Sequence, residues 1–346
     1  MTTFKNIKIE DMYNSKITGL GYYVPDNVVT NEDLSQMMET NDEWIQERTG
    51  IKERRWIKEG SEDTSAVMGA KASRIAIERA GLTTDDIDFI VFATLSPDYY
   101  FPGCGVQLQD MLGLKTVGAV DIRNQCSGFI YALSVADQFI KTGMYKNVLV
   151  VGSEFHSGGL DKTTRGRGVS VIFGDGAGAA ILSRTEDNTK GILSTHLHSE
   201  GKHAKELIVA APSIKHWVPE IIEANDANDE SYFPYMNGTF VFKHAVVRFS
   251  EAINEGLEAN NLQVSAINML IPHQANLRIS QFIQKKFKLG DDQVYNNIMK
   301  YGNTTAASVI IALTEAWELG KIKDNDLVVL AAFGSGFTWG SVIMRW

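Results

Sequence analysis

The sequence predicts an α/β protein with helices on both faces of its sheets, and two observations support this fold class. Several short segments are apolar without polar alternation, which is typical of strands buried on both faces. They cover residues 88–96, 147–154, 179–183, 269–273 and 327–336. Helical patterns occupy 65–81, 127–143 and 305–320, and the first two end in a glycine that suits a C-cap. Alternating strands and helices indicate an α/β architecture.

Two pairs of segments resemble each other and suggest an internal duplication. Residues 126–152 and 304–331 each run from small residues through an apolar helix to a glycine and an apolar strand. The strand-like segments 87–98 and 267–276 match in the same way. We therefore expect two halves of similar topology, 1–185 and 186–346, that share one continuous sheet system.

Composition narrows the classes of function. Of the 346 residues, 44% are hydrophobic and 22% are charged, which is ordinary for a globular protein with a sizeable core. The net charge of −9 disfavours nonspecific nucleic-acid binding. No stretch approaches the roughly 18 apolar residues of a membrane span, and the first residues lack a secretory pattern. We expect no nucleic acid, no membrane and a cytoplasmic location.

The cysteine and histidine patterns give little support for a metal. The only cysteines, Cys104 and Cys126, form no C-x-x-C pair, so a disulfide framework and a cysteine zinc site are both disfavoured. His196 and His198 make a metal site conceivable in the least regular stretch, 196–234. That stretch also holds His203, His216 and an acidic run, and a solvated excursion is the favoured interpretation. No metal is expected.

Cys126 is a candidate nucleophile because of its place in the sequence. It follows a short predicted strand and begins an apolar helix, with Ser127 and Gly128 leaving room for close approach. The N–H groups and dipole of a helix start favour the thiolate, which is the nucleophilic form. Buried structural cysteines are also common, so this context alone leaves both interpretations open.

Two further polar residues occupy matching places. His273 lies at the end of a buried strand, where open α/β folds place ligands. Asn303 immediately precedes a helix, and an N-cap role alone would explain it. However, Cys126 and Asn303 stand at corresponding positions of the two repeats, so similar folding would bring their helix starts together, with His273 beside them.

The chain resembles the β-ketoacyl-acyl-carrier-protein synthase III family of thiolase-like condensing enzymes. The segments that carry the resemblance are spread over most of the chain: 41–56, 126–133, 172–182, 271–279, 301–308 and 333–341. The resemblance implies a five-layer αβαβα fold, a homodimer and a catalytic triad of Cys126, His273 and Asn303. It also implies oxyanion donors at the backbone N–H groups of Cys126 and Ser335, although the family commonly has glycine where Ser335 stands.

The same resemblance implies a reaction and its partners. An acyl group passes from acyl-CoA or an acyl carrier protein to Cys126, and malonyl carrier protein then loses CO₂ and attacks the acyl-cysteine. No cofactor is implied. Three sets of binding residues follow: Trp44, Arg48, Arg167 and Arg278 for phosphopantetheine or CoA; Leu95, Phe101, Phe173, Met236 and Phe333 for the acyl group; Lys243, Arg248, Arg278, Lys285 and Lys286 for the carrier protein.

Three alternatives stay open at this point. Leu95, and the RNQ tripeptide before Cys126, depart from acetyl-preferring relatives and favour a variant enzyme of specialised metabolism that uses longer or functionalised acyl groups. A papain-like cysteine hydrolase also has Cys, His and Asn in this order, but no matching signature surrounds Cys126. A noncatalytic partner subunit would usually lack the nucleophile.

Overall fold

The computed structural model describes residues 12–213 and 229–346, and its first half contains one large sheet and one small one. The strands of this half are β1 (Asn14–Tyr23), β2 (Val28–Thr30), β3 (Glu53–Arg55), β4 (Phe89–Ala93), β5 (Gly118–Ile122), β6 (Asn147–Glu154) and β7 (Gly176–Thr185). Its helices are α1 (Asn31–Ser35), α2 (Asp42–Thr49), α3 (Ser65–Arg79), α4 (Cys104–Leu112), α5 (Gly128–Lys141) and α6 (Arg167–Ser170).

The second half repeats this plan with fewer elements in its described residues. Its strands are β8 (Gly191–Ser199), β9 (Leu207–Ile208), β10 (Tyr235–Met236), β11 (Met269–Pro272), β12 (Leu327–Gly334) and β13 (Thr338–Arg345). Its helices are α7 (Gly238–Ala259), α8 (Leu277–Phe287), α9 (Ile298–Tyr301) and α10 (Ala307–Glu318).

The two large sheets have the same strand order. The first is ordered β1-β7-β6-β4-β5, and the second β8-β13-β12-β11. In each sheet the two consecutive central strands are antiparallel and the next strand is parallel, as in β7-β6-β4 and β13-β12-β11. A single parallel bridge between Leu270 and Val294 occupies the place of β5 in the second sheet. Segments 87–98 and 267–276 therefore contribute equivalent strands.

Three hydrophobic clusters separate five layers. The outer cluster of the first half joins α3 and α4 to one face of the first sheet, and that of the second half joins α7 and α8 to the second sheet. The central cluster joins α5 and α10 to the inner faces of both sheets. Residues 148–151 of β6 are all apolar because both faces of the strand are buried: Val148 and Val150 point to the central cluster, and Leu149 and Val151 to the outer one. The predicted five-layer αβαβα fold is confirmed.

Two sequence-based expectations about this architecture are wrong. The halves do not share one continuous sheet, because the two large sheets are separate and are held together by the layer formed by α5 and α10. The stretch 196–234, which was expected to be the least regular, begins with regular structure. Its first residues belong to β8, which runs to Ser199 and pairs with β13. His216 and residues 220–228 of the acidic run lie outside the described residues.

No helix in the described ranges is both long enough and apolar enough to cross a membrane.

Candidate active site

A cavity of about 580 Å³ opens between the halves, within the size range of small-molecule sites. Both halves contribute to its walls. Cys126, from the first half, lines it together with His273 and Asn303 from the second. The three sequence-predicted polar residues thus lie around one space, although they are far apart in the chain.

Cys126 lies in a single 3-10 turn, Gln125–Ser127, that leads directly into α5. Gln125 adopts a φ of 44°, which turns the chain from the end of β5 into the helix. Gly334, at the end of β12, packs against the cysteine so closely that an added Cβ would lie 2.4 Å from Cys126 Cβ. Any side chain at position 334 would therefore displace the nucleophile.

The electrostatics of Cys126 differ from the sequence-based expectation. Its side chain is buried, and burial raises the pKa of the thiol to about 12, with the Glu154 charge acting in the same direction. Hydrogen bonds from the backbone of Ser335 and Cys126 and from the Thr305 hydroxyl lower the pKa. Desolvation is the largest of the effects that set this pKa. In the free enzyme Cys126 is therefore a thiol.

His273 is a buried, neutral imidazole with one nitrogen facing the cavity. Burial lowers its pKa to about 3. Its Nδ1 lies 2.5 Å from Ser308 Oγ, and that oxygen also accepts the Gln274 N–H at 3.3 Å. The Ser308 hydroxyl can donate to Nδ1, and in that tautomer the ring proton is on Nε2. Nε2 has no hydrogen-bond partner among the described residues.

Asn303 is oriented by its own loop. Its Oδ1 accepts the backbone N–H of Thr305 at 2.8 Å, which leaves Nδ2 to donate. Its backbone is fixed by bonds to Ile172 and Gly174, so that the loop before α10 lies beside Phe173. The cavity thus contains two neutral N–H donors, from His273 and Asn303, beside the thiol.

The predicted oxyanion donors lie close to the sulfur. The backbone N–H groups of Ser335 and Cys126 lie near enough to the thiol to lower its pKa. The Ser335 side chain turns away, because its hydroxyl donates to the Leu207 carbonyl at 2.5 Å. A serine at this position therefore keeps the backbone donor.

The predicted phosphopantetheine residues gather at the cavity mouth. Trp44, Arg48 and Arg278 line it. The guanidinium groups of Arg48 and Arg167 lie 4.5 and 5.5 Å from the Trp44 ring centroid. Asn276 joins this cluster to the second half by donating to the Arg48 carbonyl. An aromatic face and guanidinium groups at one opening are suited to a base and a phosphate.

The predicted acyl-pocket residues divide into two groups. Phe173, Met236 and Phe333 line the cavity. Leu95 and Phe101 are not among the described residues that line it, and Phe101 is 82% exposed. Both assignments stay predictions, and the one for Phe101 is of a side chain that reaches across a dimer, from an exposed turn that also holds Tyr99 and Tyr100.

The predicted docking residues also fall into two groups, according to whether their charges already have partners. Lys243 and Arg278 lie at the cavity, and Lys285 and Lys286 are exposed at the end of α8. Arg248 instead forms ion pairs with Glu200 and Glu251, at 2.8 and 2.7 Å. Its charge is already balanced, so the structure argues against its assignment to the docking face.

The two histidines considered for a metal have another partner. His196 and His198 lie on β8 and both contact Glu255 of α7, at 3.3 and 2.6 Å. No metal-binding cluster occurs among residues 12–213 and 229–346. Contacts with Glu255 between two layers account for both side chains.

Three buried polar residues of this region were not predicted from the sequence: Glu154, His156 and Thr305. Glu154 ends β6, and its pKa is raised to about 7 by burial. Thr305 and His156 contact each other at 2.6 Å across 149 residues of sequence. The only sequence signal was their position, since Glu154 and His156 follow a buried strand and Thr305 lies two residues after Asn303.

Comparisons with known proteins agree on one family. Models of 3-oxoacyl-[acyl-carrier-protein] synthase III match residues 120–201, and models of its C-terminal part match residues 257–346. The chain is 45% identical over 331 residues to the β-ketoacyl-[acyl-carrier-protein] synthase III of Aliivibrio fischeri, covering 96% of this chain and 99% of that protein. Against the enzyme of the same name from Citrobacter koseri the identity is 46%, with the same coverage.

A solved structure gives the same result for the fold. The 3-oxoacyl-[acyl-carrier-protein] synthase III of Aquifex aeolicus superposes with a TM-score of 0.86 at 42% sequence identity, covering 96% of this chain and all of that one.

Proposed function

The chain belongs to the β-ketoacyl-[acyl-carrier-protein] synthase III family and is an acyl-transferring condensing enzyme, and we propose that Cys126, His273 and Asn303 carry its reaction. The observation that carries the proposal is one cavity that holds a thiol beside two neutral N–H donors. The relatives' names favour this activity over a cysteine hydrolase, a noncatalytic subunit or a variant enzyme of specialised metabolism.

The first proposed step transfers the acyl group to Cys126. The sulfur attacks the carbonyl carbon of an acyl thioester, and the backbone N–H groups of Cys126 and Ser335 stabilise the oxyanion. The intermediate then expels the thiol of CoA or of the carrier protein, which takes the proton that Cys126 gives up. Because burial keeps the free thiol protonated, donors at the sulfur are important for this step.

The second proposed step forms the carbon–carbon bond. A malonyl thioester places its carbonyl oxygen between His273 Nε2–H and Asn303 Nδ2–H. As CO₂ leaves, these donors stabilise the enolate, and the enolate carbon attacks the acyl carbonyl and expels the Cys126 thiolate. The lowered pKa of His273 keeps the ring neutral, and a neutral ring still carries the one N–H that this hydrogen bond needs.

The substrate arm is proposed to enter past Trp44. The aromatic ring and the adjacent Arg48, Arg167 and Arg278 would receive the nucleotide of CoA or the phosphate of a carrier protein's phosphopantetheine. Malonyl carrier protein is the proposed second substrate. Its own acidic surface would meet Lys243, Arg278, Lys285 and Lys286, so that a protein of net charge −9 presents a local basic face.

A homodimer in the cytoplasm is also proposed. Strand β5 is the last strand of its sheet, and all five of its residues are half-buried or exposed, with Val120 among the exposed ones. Tyr99, Tyr100 and Phe101 are exposed nearby in sequence, with Phe101 the most exposed. An open edge beside exposed aromatic rings suits pairing with a second copy. Both cysteines are free thiols, which supports a reducing compartment.

Product analysis tests the proposed reaction. Incubation with an acyl-CoA and malonyl carrier protein should release CO₂ in equal amount to the 3-oxoacyl product. Intact-protein mass spectrometry, without malonyl carrier protein, should show one acyl group on Cys126 and would rank a panel of acyl chains. Hydrolysis of the thioester or of an acyl amide, with no condensation product, would overturn the proposal.

Reversing the charge of the docking face should weaken carrier-protein binding selectively. The double variant Lys285→Glu/Lys286→Glu is expected to raise KM for malonyl carrier protein about tenfold, because attraction becomes repulsion. KM for acyl-CoA should change less than about twofold, and the effect should shrink at high ionic strength. Steady-state kinetics with each substrate varied in turn measures both values.

Lys323→Glu is a matched control for that experiment. Lys323 is exposed but precedes β12, whereas the active site lies at the other end of this strand, beside Gly334. It changes the net charge in the same direction without touching the cavity. Equal effects of Lys323→Glu and of the double variant, per charge reversed, would refute the docking face.

A further inference from the structure

Thr305 has a backbone conformation that is rare for its side chain. Its φ is 49°, in the left-handed region, where a β-branched residue is an outlier. Such conformations persist only where the surroundings hold them. In this conformation the Thr305 N–H donates to Asn303 Oδ1 at 2.8 Å, and the residue is fully buried. The orientation of the Asn303 amide therefore depends on what holds Thr305 in place.

The end of β6 packs against the same loop from the other half of the chain. Gly152 lies against the start of α10, since an added Cβ would be 2.8 Å from the Ala306 carbonyl oxygen. Two residues further on, Glu154 Oε1 accepts the Ala306 N–H at 3.4 Å. Gly152 and Glu154 are on one face because side chains alternate along a strand. This face of β6 therefore meets the loop of residues 303–306.

His156, which follows β6, makes the shortest of these three contacts. Its Nε2 lies 2.6 Å from Thr305 Oγ1. The histidine is itself fixed, because its ring packs on Phe173 with centroids 4.6 Å apart and its backbone N–H donates to Asp175 Oδ1 at 2.7 Å. The side chain is also buried, and a hydrogen bond shielded from water is stronger than an exposed one. A fixed ring thus holds the Thr305 hydroxyl.

We propose that His156 is a positioning residue for Asn303. Its hydrogen bond keeps Thr305 at a positive φ, and the Thr305 N–H in turn holds Asn303 Oδ1, so that Nδ2–H is directed to the substrate. Either tautomer of His156 can serve, because a hydroxyl both donates and accepts. The inference rests on the proposed role of Asn303 in condensation. It gives a buried residue of the first half a part in a step whose donors come from the second half.

Condensation by preacylated enzyme tests this role. His156→Phe keeps an aromatic ring against Phe173 but cannot hydrogen-bond Thr305. It should slow condensation about tenfold, because a misplaced Asn303 donor stabilises the enolate less well. Acylation of Cys126 does not use Asn303 and should fall much less. The rate is measured by adding malonyl carrier protein to the acyl-enzyme and following the 3-oxoacyl product by chromatography.

A double-mutant cycle separates positioning from a loss of stability. Thr305→Val keeps the shape, removes the hydroxyl and should slow condensation to the same extent. Each single variant leaves one buried polar group without its partner, whereas His156→Phe/Thr305→Val removes both partners and should regain much of the lost stability. Condensation by the double variant should stay about tenfold slow, no slower than either single variant. Unfolding in urea gives the stability of all three.

Two further variants are controls for this cycle. Thr305→Ser keeps the hydroxyl and should condense within about twofold of the wild-type rate. His196→Phe makes the same substitution at another histidine that contacts a hydroxyl, with Nε2 2.9 Å from Ser194 Oγ. His196 lies on β8 and is not among the described residues that line the cavity. Its replacement should leave the condensation rate unchanged.

Three results would overturn the positioning role. The first is condensation at the wild-type rate by His156→Phe. The second is a double variant that regains both stability and condensation, because the loss of stability would then explain the slow single variants. The third is multiplied slowing in the double variant, which would show that His156 and Thr305 act independently. Failure of the proposed function would appear differently, since the wild-type enzyme itself would then form no 3-oxoacyl product.

Discussion

Replacing Cys126 by alanine is expected to abolish formation of the 3-oxoacyl product. The variant has no sulfur to form an acyl-enzyme, and removal of a catalytic nucleophile typically costs about 10⁶-fold in turnover. Intact-protein mass spectrometry should show no acyl adduct, and chromatography should show no condensation product. Product formation is the decisive measurement, because His273 and Asn303 are still present and can support release of CO₂ from malonyl substrate on their own.

Cys104→Ala is the matched control. Cys104 is the other buried cysteine, but it begins α4 on the outer side of the first sheet, with its sulfur 3.8 Å from Asp98 Oδ1. Its loss should lower the stability and leave acylation and condensation at wild-type levels. Full product formation by Cys126→Ala would contradict the proposed mechanism outright.

The second large effect is expected at the two N–H donors. His273→Ala and Asn303→Ala should each lower the rate of condensation about 10²–10³-fold, the range measured when one oxyanion donor is removed. Acylation of Cys126 should fall much less, because its oxyanion uses the backbone N–H groups of Cys126 and Ser335 instead. Acylation is measured by mass spectrometry with acyl-CoA alone, and condensation by adding malonyl carrier protein to preacylated enzyme.

The variant Asn303→Asp tests the loss of the Nδ2 donor alone. The aspartate has the same shape and can still accept the Thr305 N–H, so the loop before α10 keeps its bond. It lacks the Nδ2 donor and should be as slow in condensation as Asn303→Ala. If all three variants slowed both half-reactions equally, the donors would serve the nucleophile and not the enolate.

The parts of the fold that the sequence predicted are those buried on both faces. Strand β12 and residues 148–151 of β6 are apolar because alternate residues meet different hydrophobic clusters. Strand β8 contains His196 and His198 and is only half-buried along most of its length, so it had no comparable signal. The same holds for β1, which lies at one edge of its sheet and has a largely half-buried pattern.

The residues of the site also differ in whether the local sequence could predict them. Cys126, His273 and Asn303 stand at ends of predicted elements, where local sequence is informative. The contact between Thr305 and His156 spans 149 residues, so only the folded chain brings the two side chains together. The pKa of Cys126 could not be inferred from its helix start either, because the extent of burial is a property of the whole cavity.

The shared layer formed by α5 and α10 has a consequence for how such a protein can arise. The starts of these two helices face one cavity, and different residues precede them: Cys126 lies two residues before Gly128, and Asn303 four residues before Ala307. In a symmetric pair of identical half-length chains, both positions would have to carry the same side chain. Fusion of the two copies into one gene removes that restriction, and each position can then specialise, one for covalent attachment and the other for donating to the incoming substrate. After this specialisation, neither half is a working enzyme without the other.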